Sequence, residues 1–204
     1  MRVTRRIALL GGLAAAGFGL RRAAAAAATP RAVVEAFYGA LLDVMKQATS
    51  LGFEGRYRRL QPAIEAAFNL PLMIRLAVGP PWNSLTPTQQ SRLLEAFRRF
   101  TIATYASRFD GYDGEHFEVR GEAPAPAGGT MVETRLVPTK GDIVDLNYLL
   151  RQGDAGWQII DVFLSGTISE LATRRAEFTS VLGRDGADGL VKLLESKVAA
   201  LTPR

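Results

Sequence analysis

The hydrophobic period of this chain changes twice, and that switch narrows the folds open to it more than any other feature. From Pro30 to Phe109 apolar residues recur at three- and four-residue intervals, the spacing of helix faces. From Glu115 to Leu164 they alternate, as in strands with one buried face. Helical spacing then returns and holds to the C-terminus. Helices, then strands, then helices again is the pattern of an α+β domain: an antiparallel four-stranded sheet covered on one face by several helices.

Within the first block, Val33, Val34, Phe37, Leu41, Val44 and Met45 predict a helix from Pro30 to about Ser50. Gly52-Phe53-Glu54-Gly55 reads as a break, followed by helices over Arg56 to Phe68 and Leu70 to Val78 that part near Pro71 and stop at Gly79-Pro80-Pro81. Trp82 then falls in a loop. Thr86-Pro87-Thr88-Gln89 is a capping box with proline at the first helical position, so a long helix starts there and runs to about Phe109, burying Leu93, Phe97, Phe100 and Thr104.

The alternating block divides into strands over Glu115 to Glu122, Thr130 to Pro138, Ile143 to Gln152 and Trp157 to Leu164. The short Ala/Pro/Gly, Lys-Gly-Asp and Gly-Asp-Ala-Gly connections favour an antiparallel meander. One register carries Val132, Leu136, Val144, Leu146, Tyr148, Leu150, Ile160 and Val162, and the other carries Glu133, Arg135, Asp145, Asn147 and Asp161. One sheet face is therefore apolar and the other mixed. Thr167-Ile168-Ser169-Glu170 caps a helix to about Leu182, and a last helix covers Ala187 to Leu201.

Charge separates a leader from a body. All of the excess of 25 Lys and Arg over 20 Asp and Glu lies in residues 1–28, as Arg2, Arg5, Arg6, Arg21 and Arg22 with no acid among them. The layout of basic start, apolar middle and small-residue end is that of an export signal. Ile7 to Leu20 as a helix would rise about 21 Å, short of a hydrocarbon core of about 30 Å. Thr4-Arg5-Arg6-Ile7-Ala8-Leu9-Leu10 fits the twin-arginine type, with cleavage within Ala23 to Ala28. The expectation is a single periplasmic domain over 29–204, beyond the reach of ATP. That domain is neutral, which argues against nucleic acid as a partner, since phosphate binding needs surplus Lys and Arg on the folded surface.

The inventory for catalysis is poor. There is no cysteine, and His116 is the one histidine, so neither a thiol nucleophile nor a thiolate metal site can form. No nucleophile elbow, phosphate-binding loop or dinucleotide fingerprint occurs. Asp110, Asp113 and Glu115 with Gly111 and Gly114 do not have calcium-loop spacing and read as a solvated turn. Asp161, in an apolar strand, calls for a buried partner such as an arginine in a structural ion pair. Arg56/Arg58/Arg59, Arg98/Arg99 and Arg174/Arg175 read as solvated helix faces. The expectation is a chain that is not an enzyme and takes no cofactor and no metal.

Several stretches in order carry a resemblance: Val78-Gly79 and Trp82, then Leu85-Thr86-Pro87-Thr88-Gln89-Gln90 leading into Phe97, Tyr105 and Phe109. Trp157-Gln158-Ile159-Ile160-Asp161-Val162 follows, then Gly166, Ser169, Arg174, Glu177 and Phe178, and Gly186-Ala187-Asp188-Gly189-Leu190 ends the series. In these the mature chain resembles the periplasmic lipid-carrying component of the Mla/toluene-tolerance transport systems, the MlaC type. Leu51 to Tyr57 and Thr167 to Arg175 are similar to its branch associated with hopanoid biosynthesis. The resemblance implies an auxiliary component of an ABC-transporter system that holds lipid tails between helices and sheet. Its partners would be a phospholipid or hopanoid, an inner-membrane transporter complex, an outer-membrane acceptor or donor complex, and membrane surfaces in passing.

Helix stripes and strand register then nominate lipid-binding residues. Val132, Leu136, Leu146, Tyr148, Ile160 and Val162 form a floor, Phe68, Leu72, Met73 and Leu76 a mouth and lid, Trp82 one closed end, and Phe97, Phe100 and Tyr105 the opposing wall. Two other readings compete. A non-catalytic interaction module of a membrane lipid complex would have a fully packed core, and an enzyme of lipid or hopanoid modification would need polar groups converging in the cavity, for which His116 and Asp161 are too few.

Overall fold

The computed structural model describes residues 28–203, so the export-signal reading lies outside the described residues except for Ala28. Helix α1 (Pro30–Lys46) starts where the Thr29 hydroxyl accepts the Ala32 N–H at 3.2 Å. It stops at Lys46, and α2 (Ala48–Ala67) follows at once and absorbs the glycine-rich break expected at 52–55. The break survives only as a kink at Gly52 (φ 57°, ψ −176°), a backbone region that side-chain-bearing residues essentially avoid.

Arg56 is buried on α2, not solvated as its neighbours Arg58 and Arg59 are. Its Nε donates to the Ala106 carbonyl at 2.8 Å and its Nη1 to the Ala48 carbonyl at 3.1 Å. The guanidinium thus ties the start of α2 to the last turn of α4, where it satisfies a helix-end carbonyl, that of Ala106, that would otherwise be orphaned. Helix α3 (Leu70–Val78) is capped by Asn69, and Trp82 stands in a 3-10 turn (Pro80–Ser84) instead of an open loop. Helix α4 (Pro87–Arg108) begins with the expected capping box: the Gln89 N–H reaches the Thr86 hydroxyl, and the Thr86 N–H reaches Gln89 Oε1 at 2.9 Å.

The sheet follows as an antiparallel meander in chain order: β1 (His116–Ala125), β2 (Gly129–Val137), β3 (Val144–Gly153), β4 (Gly156–Leu164) and β5 (Ile168–Ser169). It has five strands where four were expected, because the chain doubles back after Leu164 and pairs Ile168 with it before entering the last helix. Strand β1 also continues through Ala123 to Ala125, reducing the Ala/Pro/Gly connection to a single 3-10 turn (Pro126–Gly128). Helix α5 (Glu170–Leu201) joins the two helices expected there, with a kink at Gly186 (φ 68°, ψ −171°) marking the division.

The helices cover one face of the sheet, and the interface is aromatic at its centre. The Phe37 ring meets Phe68 edge-on at 5.1 Å and Tyr105 at 5.3 Å, the geometry the ring quadrupoles favour. Alternation identified this face except at one strand. A bulge between Leu149 and Leu150 places Leu150 opposite Ile159, so Ile159 joins the core and Ile160 becomes the unpaired extra residue. Thr134 is the polar residue on the buried face, and its hydroxyl is engaged by the Tyr38 hydroxyl and the Leu146 carbonyl.

Candidate lipid cavity

Toward the ends of β2 and β4 and the start of β3, helices and sheet do not close on each other. They enclose a cavity of about 300 Å³, at the low end of the roughly 300–1,000 Å³ found for small-molecule pockets. Phe68 and Met73 line it from the α2–α3 junction, and Phe97, Thr101, Thr104, Tyr105 and Arg108 from α4, with Phe109 just beyond. The sheet supplies Leu136, Val144, Leu146, Tyr148, Val162 and Leu164, and α5 supplies Glu170 and Arg174. The wall is mostly hydrocarbon and aromatic ring, with charged groups where α4 ends and α5 begins and hydroxyls along α4.

Those polar groups are partly committed. The Thr101 and Thr104 hydroxyls donate to carbonyls one turn back, Phe97 at 2.9 Å and Phe100 at 2.8 Å. Arg174 pairs with Glu170 at 2.8 Å, and its guanidinium stacks over the Phe100 ring at 4.7 Å. Burial pulls the Arg174 pKa down and Arg108 adds to the effect, while Glu170 opposes it. Burial likewise raises the Tyr105 and Tyr148 hydroxyls, so both are neutral in the wall. The nearby Tyr38 is pushed up to about 12 by the same cause, against its bond to Thr134.

The structure brings together Phe68, Met73, Phe97, Tyr105, Leu136, Leu146, Tyr148 and Val162 around this space. It does not bring the other nominated residues there. Leu72 and Leu76 lie on a half-buried flank of α3, since the buried face runs through Leu70, Met73, Ile74 and Ala77. Trp82 packs at the core edge, its carbonyl accepting from the Gln90 amide at 3.0 Å. Phe100 is buried beneath Arg174, Val132 is in packed core, and Ile160 is displaced by the bulge. Thr101, Thr104, Arg108, Phe109, Val144, Leu164, Glu170 and Arg174 also line it and were not nominated. The α4 face 97, 101, 104, 108 has regular helical spacing, and Glu170 with Arg174 is a readable i,i+4 pair.

His116 and Asp161 stay apart. His116 is exposed on edge strand β1, 3.2 Å from Glu118, whereas Asp161 is buried on β4. Asp161 has no arginine partner among the described residues. Its carboxylate instead accepts from the Ser169 hydroxyl at 2.5 Å and from the backbone N–H of Val162 and Leu171 at 2.8 and 3.1 Å. It therefore helps cap α5, and burial raises its pKa despite those bonds. Among the described residues, no group of His, Asp or Glu is arranged to hold a metal, and no helix is long and apolar enough to cross a membrane.

A protein-family model described as MlaC protein matches residues 35–196. Among curated proteins no sequence matches the chain. Among solved structures, the chain is similar to the phospholipid-binding protein from Ralstonia solanacearum, solved in complex with a phospholipid. The two share 22% sequence identity with a TM-score of 0.75, over 85% of this chain and 99% of that one. At that identity the likeness is one of fold.

Proposed function

The chain belongs to the MlaC family, and from that membership together with the cavity we propose that it is a periplasmic lipid-binding shuttle. Residues 1–28 act as a cleaved export signal, and the body from residue 29 carries a phospholipid or hopanoid between inner and outer membranes, serving a membrane transporter complex. The observation that carries this reading is a mostly apolar cavity whose charged groups, Arg108, Glu170 and Arg174, come from the end of α4 and the start of α5. That is the shape an amphiphile requires: tails inside and headgroup at the charged rim. The likeness in fold to a protein solved with a phospholipid supports it.

Each methylene withdrawn from water is worth about 0.8 kcal/mol, so a long acyl chain crossing water unshielded would cost on the order of ten kcal/mol. A cavity offsets that cost with no reacting group, which fits a carrier that performs no catalysis. The stretch similar to the hopanoid-associated branch, Thr167 to Arg175, places Glu170 and Arg174 in the cavity wall. Native mass spectrometry with lipidomics on protein purified from cells is expected to show copurified lipid. A chain that carries none and takes none from liposomes is not a shuttle.

A further inference from the structure

The polar end of the cargo is constrained by the charges at the rim of the cavity. Three cations stand there: Arg108 and Arg174 line the cavity, and Lys197 joins them around the adjoining cleft. Two are matched, Arg174 by Glu170 at 2.8 Å and Lys197 by Glu177 at 2.8 Å. Arg108, exposed at the end of α4, forms no ion pair among the described residues. A shallow cleft on its other side holds Asp110, Asp113 and Glu115. None of the three is within ion-pair distance, and the Glu115 carboxylate is occupied by the Asp113 N–H at 2.6 Å. Arg108 therefore offers forked donors that no carboxylate engages among the described residues, at the edge of an apolar space.

We propose that Arg108, backed by the Glu170-paired Arg174, is the specificity-determining residue for a lipid headgroup carrying one phosphodiester anion. The proposal rests on the lipid-carrier reading. A guanidinium offers two parallel N–H donors that match two phosphate oxygens, and such charge-assisted bonds are about twice as strong as neutral ones. Two phosphodiester oxygens would engage the donors that Arg108 leaves free. An uncharged alcohol on the same tails leaves Arg108 unmatched. The mutual repulsion felt between Arg108 and Arg174 acts in the same sense, because an anion at this rim relieves both.

The test uses the full chain expressed with its leader, purified and stripped of lipid, and vesicles holding phosphatidylglycerol and diacylglycerol with identical tails in equal amounts. Native mass spectrometry counts what is loaded. Wild type is expected to favour phosphatidylglycerol about tenfold, and Arg108→Gln to bring the two nearly level while still loading lipid. Glu170→Gln releases Arg174 from its partner and is expected to raise the preference, giving a readout independent of whether Arg108→Gln folds. Inorganic phosphate in large excess is expected to leave the ratio unchanged, because the tails hold the headgroup in place; if it abolishes the preference, the site takes free anion and the lipid assignment fails. Equal loading by wild type, an undiminished preference in Arg108→Gln, or no rise in Glu170→Gln overturns the role of Arg108. Loading of neither lipid removes the carrier reading itself, and this proposal with it.

Discussion

A carboxylate placed inside the cavity separates folding from carriage, and Leu146→Asp is the position to use. Leu146 is 9% exposed and faces the cavity beside Val162. Losing its burial costs about 1.5–3 kcal/mol of stability, but the new carboxylate opens onto unfilled space that admits water, so the fold is expected to survive. Loading lipid expels that water, and the carboxyl must then be neutralised. From an ordinary value near 3.9, neutralisation costs about 1.4 kcal/mol per pH unit, roughly 4 kcal/mol at pH 7 and about 1.5 at pH 5. Loading should therefore weaken by up to about a thousandfold at pH 7 and only about tenfold at pH 5. Leu150→Asp is the contrast: the same residue type two pairs along the same strand face, fully buried and not lining the cavity. There the charge has no water to retain, and the fold itself should fail. The assay is liposome uptake by native mass spectrometry across pH 5 to 7, beside urea denaturation of each variant. A folded Leu146→Asp protein that loads like wild type at pH 7 places the tails elsewhere.

Other perturbations test the frame around the cavity. Arg56→Met keeps the volume but removes two bonds from a charged donor to helix-end carbonyls, and urea denaturation should show a loss of about 2–3 kcal/mol; a loss under about 0.5 would mean the tie is idle. Hydrogen bonds from Arg98 hold the Glu95 carboxyl down to about 2 from its ordinary 4.5. A depressed carboxyl stabilises the fold above pH 4.5, and that stability is lost as pH falls toward 2, so Glu95→Gln should flatten the acid limb of a stability profile. The effect will be modest, since the side chain is 42% exposed and screened by solvent. Gly186→Ala should cost about 1–3 kcal/mol from backbone strain alone, as no neighbour crowds the added carbon. Gly183→Ala, in regular helix with equally open space, should stabilise by roughly 0.5–1 kcal/mol in the same thermal melt.

What was legible in the sequence depended on whether the signal was local. Capping by Thr86 and Gln89 is written within four residues, and the start of α4 follows from it. The sheet face was readable by parity until the bulge, which no side chain announces and which exchanged Ile159 for Ile160. Gly52 and Gly55 carry the composition of a loop, yet only Gly52 leaves helical geometry, and buried Arg56 ties the start of α2 to the end of α4 beside it. Asp161 was correctly marked as buried, but its partners are the Ser169 hydroxyl and the backbone N–H groups of Val162 and Leu171, and sequence pattern cannot name those.

The cavity is the least legible feature, because an unfilled space leaves no residue of its own. Its cause is nonetheless visible once the face of α4 is followed. Phe97 fills its turn, but Thr101 and Thr104 follow it where a closed core would carry Leu or Phe, and each returns its hydroxyl proton to its own helix. Short side chains there leave the start of β3 and the end of β4 without opposing bulk, while Arg108 and the Glu170–Arg174 pair, too polar to collapse inward unmatched, keep the rim in contact with water. Larger apolar residues at those two positions would shrink the space. That α4 instead continues from an aromatic wall into threonine and then into an unpaired arginine is the arrangement expected of a surface meant to meet first hydrocarbon and then an anion.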